Sequence, residues 1–293
     1  MVLTGWAFGA SKRSQPTSPL LYRHYGCAMK IYESLAVGQI LEKGASQVPD
    51  KIAVVDGAKR VTYGKLNSMA NALAVSLAKI GLKKGDRTAI YMPNSIELMV
   101  AFYALQKLGI IAAWVNPFYR QNEARFILKN SEASAVFIFS DWDGRNFHDD
   151  ILNLKTDLPD LEFIFAIGDS QDQGVYSFHD LVDQGMDQAF TSTSVDPPKD
   201  LAMLLYTSGT TGTPKGAMIT HYAAVRAGWE YSLGVQASCD DIFIGFLPMS
   251  HSYGCGSILI QPLLLQATVV LMAQFEVEKA FKLIEEEKVS LLC

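Results

Sequence analysis

Leu201-Ala202-Met203-Leu204-Leu205-Tyr206-Thr207-Ser208-Gly209-Thr210-Thr211-Gly212-Thr213-Pro214-Lys215-Gly216 reads as an apolar strand running straight into a loop of small, hydroxylated and basic residues. Glycine lets a backbone turn sharply and bring its N–H groups close to an anion. Thr207, Ser208, Thr210, Thr211 and Thr213 add hydroxyl donors for phosphate oxygens, or indirect contacts to a magnesium ion, and Lys215 adds a positive charge. In its chemistry the segment is a polyphosphate cradle. A Walker A loop needs Gly before its Lys and Ser or Thr after it. Pro214 and Gly216 occupy those places here, which argues against a P-loop phosphotransferase. An ordinary Ser/Thr/Gly connection is the structural alternative. Ten consecutive positions of this composition, Thr207 to Gly216, behind an apolar strand weigh against it.

On both sides of this loop the chain alternates short apolar runs with helical patterns. Ile52–Val55, Arg87–Tyr91, Ile110–Val115, Ala135–Phe139 and Phe163–Ile167 read as strands. Leu66, Met69, Ala70, Leu73, Leu77 and Ile80 recur at three- and four-residue steps on one helical face, and Gly81 stands where a left-handed cap belongs. Helices are predicted over Ile96–Leu108, closed by Gly109, and around Phe126–Lys129. Beyond the loop come a helix (Tyr222–Leu233), a strand (Ile242–Leu247), a helix (Gly256–Leu265), a strand (Thr268–Met272), a helix (Val277–Glu287) and a strand (Val289–Cys293). Strands separated by helices imply right-handed crossovers and parallel sheets covered on both faces. The fold class is α/β. Residues 185 to 200, with Thr191-Ser192-Thr193-Ser194 and Pro197-Pro198, read as an exposed connection where two sheet-containing subdomains meet, near residue 190.

The chain has 293 residues, 25 Lys plus Arg against 30 Asp plus Glu, and a net charge of −5. That balance argues against a nucleic-acid or anionic-membrane binder. The four cysteines lie far apart without a CxxC pair, which argues against structural zinc or a disulfide framework. The nearest candidate membrane span, Gly254 to Ala273, is interrupted by Gln261, Pro262, Gln266 and Thr268, and reads better as a buried helix followed by a buried strand. Residues 1 to 30 lack Asp and Glu and carry Lys12, Arg13, Arg23 and Lys30. They read as a disordered leader or an over-extended start ahead of Met29-Lys30, with a cytoplasmic protein expected. The other reading is a transit peptide, with an organellar matrix as destination.

Leu204 through Lys215 resembles the nucleotide-binding signature of the adenylate-forming (AMP-binding) enzymes, which include acyl-CoA and aryl-CoA synthetases. Val61-Thr62-Tyr63-Gly64-Lys65-Leu66, Gly85-Asp86-Arg87, Pro93-Asn94-Ser95, Leu108-Gly109 through Asn116-Pro117, and Pro248-Met249-Ser250-His251-Ser252-Tyr253-Gly254 are similar to further blocks of that family. The resemblance covers roughly residues 35 to 293. It implies the large N-terminal domain of such an enzyme, with residues 31–293 as an incomplete AMP-binding domain. It also implies a two-step reaction, in which a carboxylate and ATP give an acyl-adenylate and pyrophosphate, and coenzyme A then displaces AMP. By matching position Thr207, Ser208, Gly209, Thr210, Thr211, Gly212, Thr213 and Lys215 hold ATP phosphates. His251 is placed beside the carboxyl and α-phosphate region, where an imidazole N–H can donate to a reacting oxygen. A lone His is also commonly structural.

His221 reads as a capping or packing residue. Trp229 and Tyr253 are candidates to wall an acyl pocket, with core packing as the default for both. Peptide-synthetase domains of the family carry Phe-Asp in the His251 block to pair an amino-acid ammonium. No Asp lies between Met249 and Cys255. A fatty, alicyclic or aromatic acid is therefore expected. The family's later Glu and Asp blocks, its magnesium ligand, C-terminal domain and adenylation Lys are not found in the sequence. No metal ligand is assigned, and the chain alone is expected to be inactive. A non-catalytic nucleotide-binding or interaction module is the alternative.

Overall fold

The computed structural model describes residues 34–168, 174–207 and 214–292. The leader and Ser208 to Thr213 lie outside the described residues.

Two sheets organise the fold. The larger is built from β3 (Arg87–Tyr91), β4 (Ile111–Trp114), β5 (Ala135–Phe139), β8 (Phe163–Ile167), β9 (Val175–Ser177), β10 (Leu201–Thr207) and β11 (Lys215–Thr220). Its order is β11-β10-β4-β3-β5-β8-β9, parallel except for the edge strand β11. The smaller, in order β14-β12-β13-β1-β2, uses β1 (Ile52–Asp56), β2 (Lys59–Thr62), β12 (Ile242–Gly245), β13 (Thr268–Leu271) and β14 (Leu291–Leu292). A two-residue ladder, β6 (Asp141–Trp142) with β7 (Arg145–Asn146), stands apart.

Alternation along the strands sorts the side chains into layers. Ile90, Phe137 and Phe165 join one core together with Phe243, Val54 and Val269 of the smaller sheet. Helices α1 (Val37–Gln47), α2 (Tyr63–Ile80) and α3 (Ile96–Leu108) contribute to that core from between the sheets. The intervening residues Ala89, Tyr91, Val136, Ile138 and Ile164 face the other way, onto α4 (Gln121–Asn130) and α5 (Phe147–Leu154). α6 (Phe178–Gly185) packs its Phe178, Leu181 and Val182 into the first core. On the outer side of the smaller sheet, Ile244 and Met272 meet Ala280 of α8 (Val277–Glu286). The result is α–β–α–β–α, the covered parallel-sheet architecture that the sequence predicts.

α3 is buried along all thirteen of its residues, which its sequence IELMVAFYALQKL permits. Ser95 Oγ caps it by accepting the Leu98 N–H at 3.1 Å. Thr62 caps α2 in the same way, accepting from Lys65, and Gly81 ends that helix at φ 114°, as expected.

The 185–200 connection is largely exposed. It leads from α6 to β10 inside the course of the larger sheet, while the smaller sheet draws strands from both ends of the described chain. Both sheets therefore take strands from before and after residue 190, because long-range pairs such as Val54–Val269 set strand order. The connection is also tethered: Thr193 N–H donates to Lys107 O at 2.8 Å, and Lys84 Nζ donates to Ser194 O at 3.0 Å. Lys107 itself is buried in α3 and held by Glu42 (2.8 Å) and Asn67 (2.9 Å). Burial pulls its pKa below the ordinary lysine value, opposed by Glu42.

Candidate functional site: a hairpin, a turn and an apolar groove

The phosphate-loop sequence emerges from a hairpin. β10 and β11 pair antiparallel with Thr207 opposite Lys215, Leu205 opposite Ala217 and Met203 opposite Ile219. Sequence inspection places no strand after the loop. The exposed, glycine-bearing run Lys215–Met218 lacks the alternation that marks a half-buried strand. Directly opposed residues share a sheet face, and so do residues two apart. Thr207 and Lys215 therefore lie on the same face as Met203, Leu205 and Ile219. Tyr206 and Gly216 occupy the reverse face, where the Tyr206 hydroxyl donates to Asn130 Oδ1 at 2.8 Å. Ser208, Gly209, Thr210, Thr211, Gly212 and Thr213 lie outside the described residues, so Thr207 and Lys215 are the two members of the assigned set whose places are described.

That shared face carries an apolar groove of about 150 Å³. Met203, Leu205 and Ile219 line one side of it. α7 (His221–Gly234) presents Ala223, Ala227 and Tyr231 at i, i+4 and i+8, a single helical stripe. The segment from Ser252 to Ile260 supplies the remainder, including Cys255 and Gly256. Cys255 Sγ sits 3.5 Å from Met203 Sδ, and burial pushes the thiol up to about 12, so it acts as an apolar wall and not as a nucleophile.

His251 stands at the entrance to this segment. It is exposed, and its Nδ1 accepts the Tyr253 N–H at 3.3 Å, capping a short helical turn from Ser252 to Gly254. The turn is fixed from beneath by Asn94. Its amide donates to Leu247 O (2.8 Å) and Met272 O (3.3 Å), and its oxygen accepts the Met249 N–H (3.0 Å). After the turn the chain runs through a π-helical stretch, Cys255–Ile260, into a short α-helical turn, Gln261–Leu264. The expected plain helix over 256–265 is altered because Pro262 has no N–H for the Ile258 carbonyl. π-helical turns recur near functional sites.

Of the other candidates, His221 is buried in a packing role. Its Nδ1 accepts the Val37 N–H at 3.3 Å, while Thr220 provides the cap. Trp229 packs against the main core, and Tyr231 lines the groove in its place. Tyr253, 43% exposed, stands against Tyr231 with ring centroids 5.9 Å apart. Sequence inspection left Asn94 without a role and passed over Tyr231. The Pro93-Asn94-Ser95 block is the signal that points to Asn94; Tyr231 has none, since helical phase relative to the groove is a tertiary property.

Residues 41–293 match the model of the AMP-binding enzyme family. The chain belongs to that family. It is similar to the medium/long-chain-fatty-acid–CoA/3-oxocholest-4-en-26-oate–CoA ligase of Mycobacterium tuberculosis, at 30% identity over 88% of this chain and 49% of that protein. It is also similar to 4-coumarate–CoA ligase 3 of Arabidopsis thaliana, at 28% identity over 94% and 49% of the two chains. Among solved structures, the apo form of MbtA from Mycobacterium smegmatis superposes with a TM-score of 0.81 at 26% identity, covering 95% of this chain and 51% of that one. The chain thus spans about half the length of the curated relatives it matches. The family membership confirms the adenylate-forming resemblance and its fold. No helix among the described residues is long and apolar enough to cross a membrane.

Proposed function

We propose that this chain forms the phosphate-gripping and acyl-binding part of an enzyme that uses ATP to convert a fatty, alicyclic or aromatic acid to an acyl-adenylate and then to a coenzyme A thioester. One observation carries this reading: the hydroxyl of Thr207 and the charge of Lys215 lie in register on the face of a hairpin whose next residues, Met203, Leu205 and Ile219, line an apolar groove. A substrate of an acyl transfer to phosphate is amphiphilic in this same sense, with an anionic head at the phosphate and an apolar tail.

The first step brings two anions together, so the barrier falls when charge is neutralised and the carboxylate is oriented for in-line attack on the α-phosphorus. Thr207, Ser208, Gly209, Thr210, Thr211, Gly212, Thr213 and Lys215 are assigned to the ATP phosphates. Exposed His251 is assigned to donate a hydrogen bond to a carboxyl or phosphoryl oxygen. Magnesium, when bound to ATP, would supply further charge neutralisation. Among the described residues no three His, Cys, Asp or Glu side chains converge as metal ligands, so no residue is assigned to hold it.

The test is titration of the chain with Mg-ATP. Saturable binding that weakens tenfold or more in Lys215→Ala, and is unmoved in Lys65→Ala, is the expected result, since a charge-assisted hydrogen bond contributes about 1.5–3 kcal/mol. Equal binding by wild type and Lys215→Ala overturns the assignment. Carboxylate-dependent ATP–pyrophosphate exchange is not expected from the chain by itself.

A further inference from the structure

The groove beside the hairpin differs in exposure between its floor and its rim. Its floor is buried: Met203, Leu205, Cys255 and Ile260 are each less than a tenth exposed. Its rim is exposed and consists largely of the α7 stripe, where Ala223 and Ala227 leave open space and Tyr231, 40% exposed, stands at one end. The width beside Tyr231 depends on Gly256, because a Cβ there would lie 2.7 Å from the tyrosine ring. Among the described residues no charged side chain lines the groove.

We propose, resting on the reading above, that this groove limits the substrate to acids with a short uncharged tail, a single ring or about six carbons. Ala227 and Tyr231 set the limit. An apolar cavity of about 150 Å³ accommodates a benzene molecule, which matches the groove's volume. A longer tail leaves the apolar walls: the Cys255–Met203 sulfur contact and Ile260 close the floor, Tyr231 stands at one end, and the rim is exposed, so further methylenes gain no burial. Tail length, not head chemistry, is what Ala227 and Tyr231 read.

The experiment is calorimetric titration of the whole chain with unbranched carboxylates from butanoate to decanoate, with benzoate, and with the matching primary alcohols. In wild type, affinity should rise about fourfold per methylene up to six carbons, the equivalent of ~0.8 kcal/mol per buried CH₂, and then level off. Ala227→Leu keeps a strong helix former at an exposed helical position, so it should fold, and it should abolish the methylene dependence by filling the groove. Tyr231→Ala should move the plateau to longer tails. Affinity that keeps rising to decanoate in wild type, a response unchanged in Ala227→Leu, or no binding of any tail overturns the proposal. The alcohols separate the two ideas. If alcohols and acids show the same plateau, and Mg-ATP fails to strengthen acid binding, the tail limit holds and the ligase reading falls. If Mg-ATP strengthens acid binding without a plateau, the reverse is true.

Discussion

The side-chain oxygen of Asn94 accepts the backbone N–H of Met249 at 3.0 Å, joining the loop after β3 to the turn that presents His251. The same amide donates to Leu247 O and Met272 O, so one buried side chain serves three backbone groups on two segments more than 150 residues away. Buried backbone groups left without partners cost about 1–3 kcal/mol each, and a net hydrogen bond contributes about 1 kcal/mol. Asn94→Ala should therefore destabilise the protein by about 2–4 kcal/mol, read as a shift of the denaturant midpoint. Amide exchange at Met249 should accelerate as well. A midpoint unchanged within error would show that the turn holds without Asn94.

His221 gives stability a pH dependence. Burial draws its pKa from the usual 6.5 down to about 4, with the Asp200 carboxylate pulling upward and Lys84 downward. Its Nδ1 accepts from Val37, and its Nε2 is buried without a hydrogen-bond partner among the described residues. The unfolded chain takes up a proton near pH 6.5, whereas the folded chain resists until about pH 4. Between those values the unfolded state binds more protons, so stability falls as pH falls. Above pH 6.5 the contribution is fully present; by pH 4 about 3 kcal/mol is lost, at 1.36 kcal/mol per pKa unit. His221→Gln keeps an acceptor for Val37 and cannot titrate. Its stability should be flatter across this window than that of wild type, measured by urea unfolding at several pH values. Parallel acid limbs in the two proteins would assign the effect to other groups.

Periodicity made the parallel strands and buried helices legible, because Ile90, Phe137 and Phe165 alternate with Ala89, Val136 and Ile164 in a pattern that burial on both faces requires. Local chemistry made the helix ends legible at Gly81 and Gly109, whereas the caps at Thr62 and Ser95 come from the structure. Strand order was not legible. The pairing of β1 with β13 is a contact across more than 200 residues, and nothing in Ile52–Asp56 states its partner. β11 escaped notice for the opposite reason: it is an exposed edge strand with Gly216 in it, paired among the described residues with β10 only. At the site, the motif residues were legible as chemistry, but the groove was not. Trp229 and Tyr231 are two positions apart, about 200° around a helix, so only one of them can face the groove, and packing decides which.

The turn that carries His251 has one position that admits no side chain. A Cβ on Gly254 would lie 2.2 Å from Pro248 O and 2.8 Å from Pro248 C, both backbone atoms that cannot swing aside. Pro248 O also accepts the His251 N–H at 3.0 Å, so relieving the clash means breaking the bond that shapes the turn. Gly254→Ala should cost about 1–3 kcal/mol through overpacking, and the displaced turn should weaken Mg-ATP-dependent binding of short acids. Gly234, the last residue of α7, is the matched control, because no atom of the described residues lies within 4 Å of its Cβ position. Gly234→Ala should leave stability unchanged or raise it by a few tenths of a kcal/mol, since alanine loses less backbone entropy in a helix. Thermal melts of the two variants under one condition give the comparison. Similar melting temperatures would mean that the Pro248–Gly254 contact does not constrain the turn.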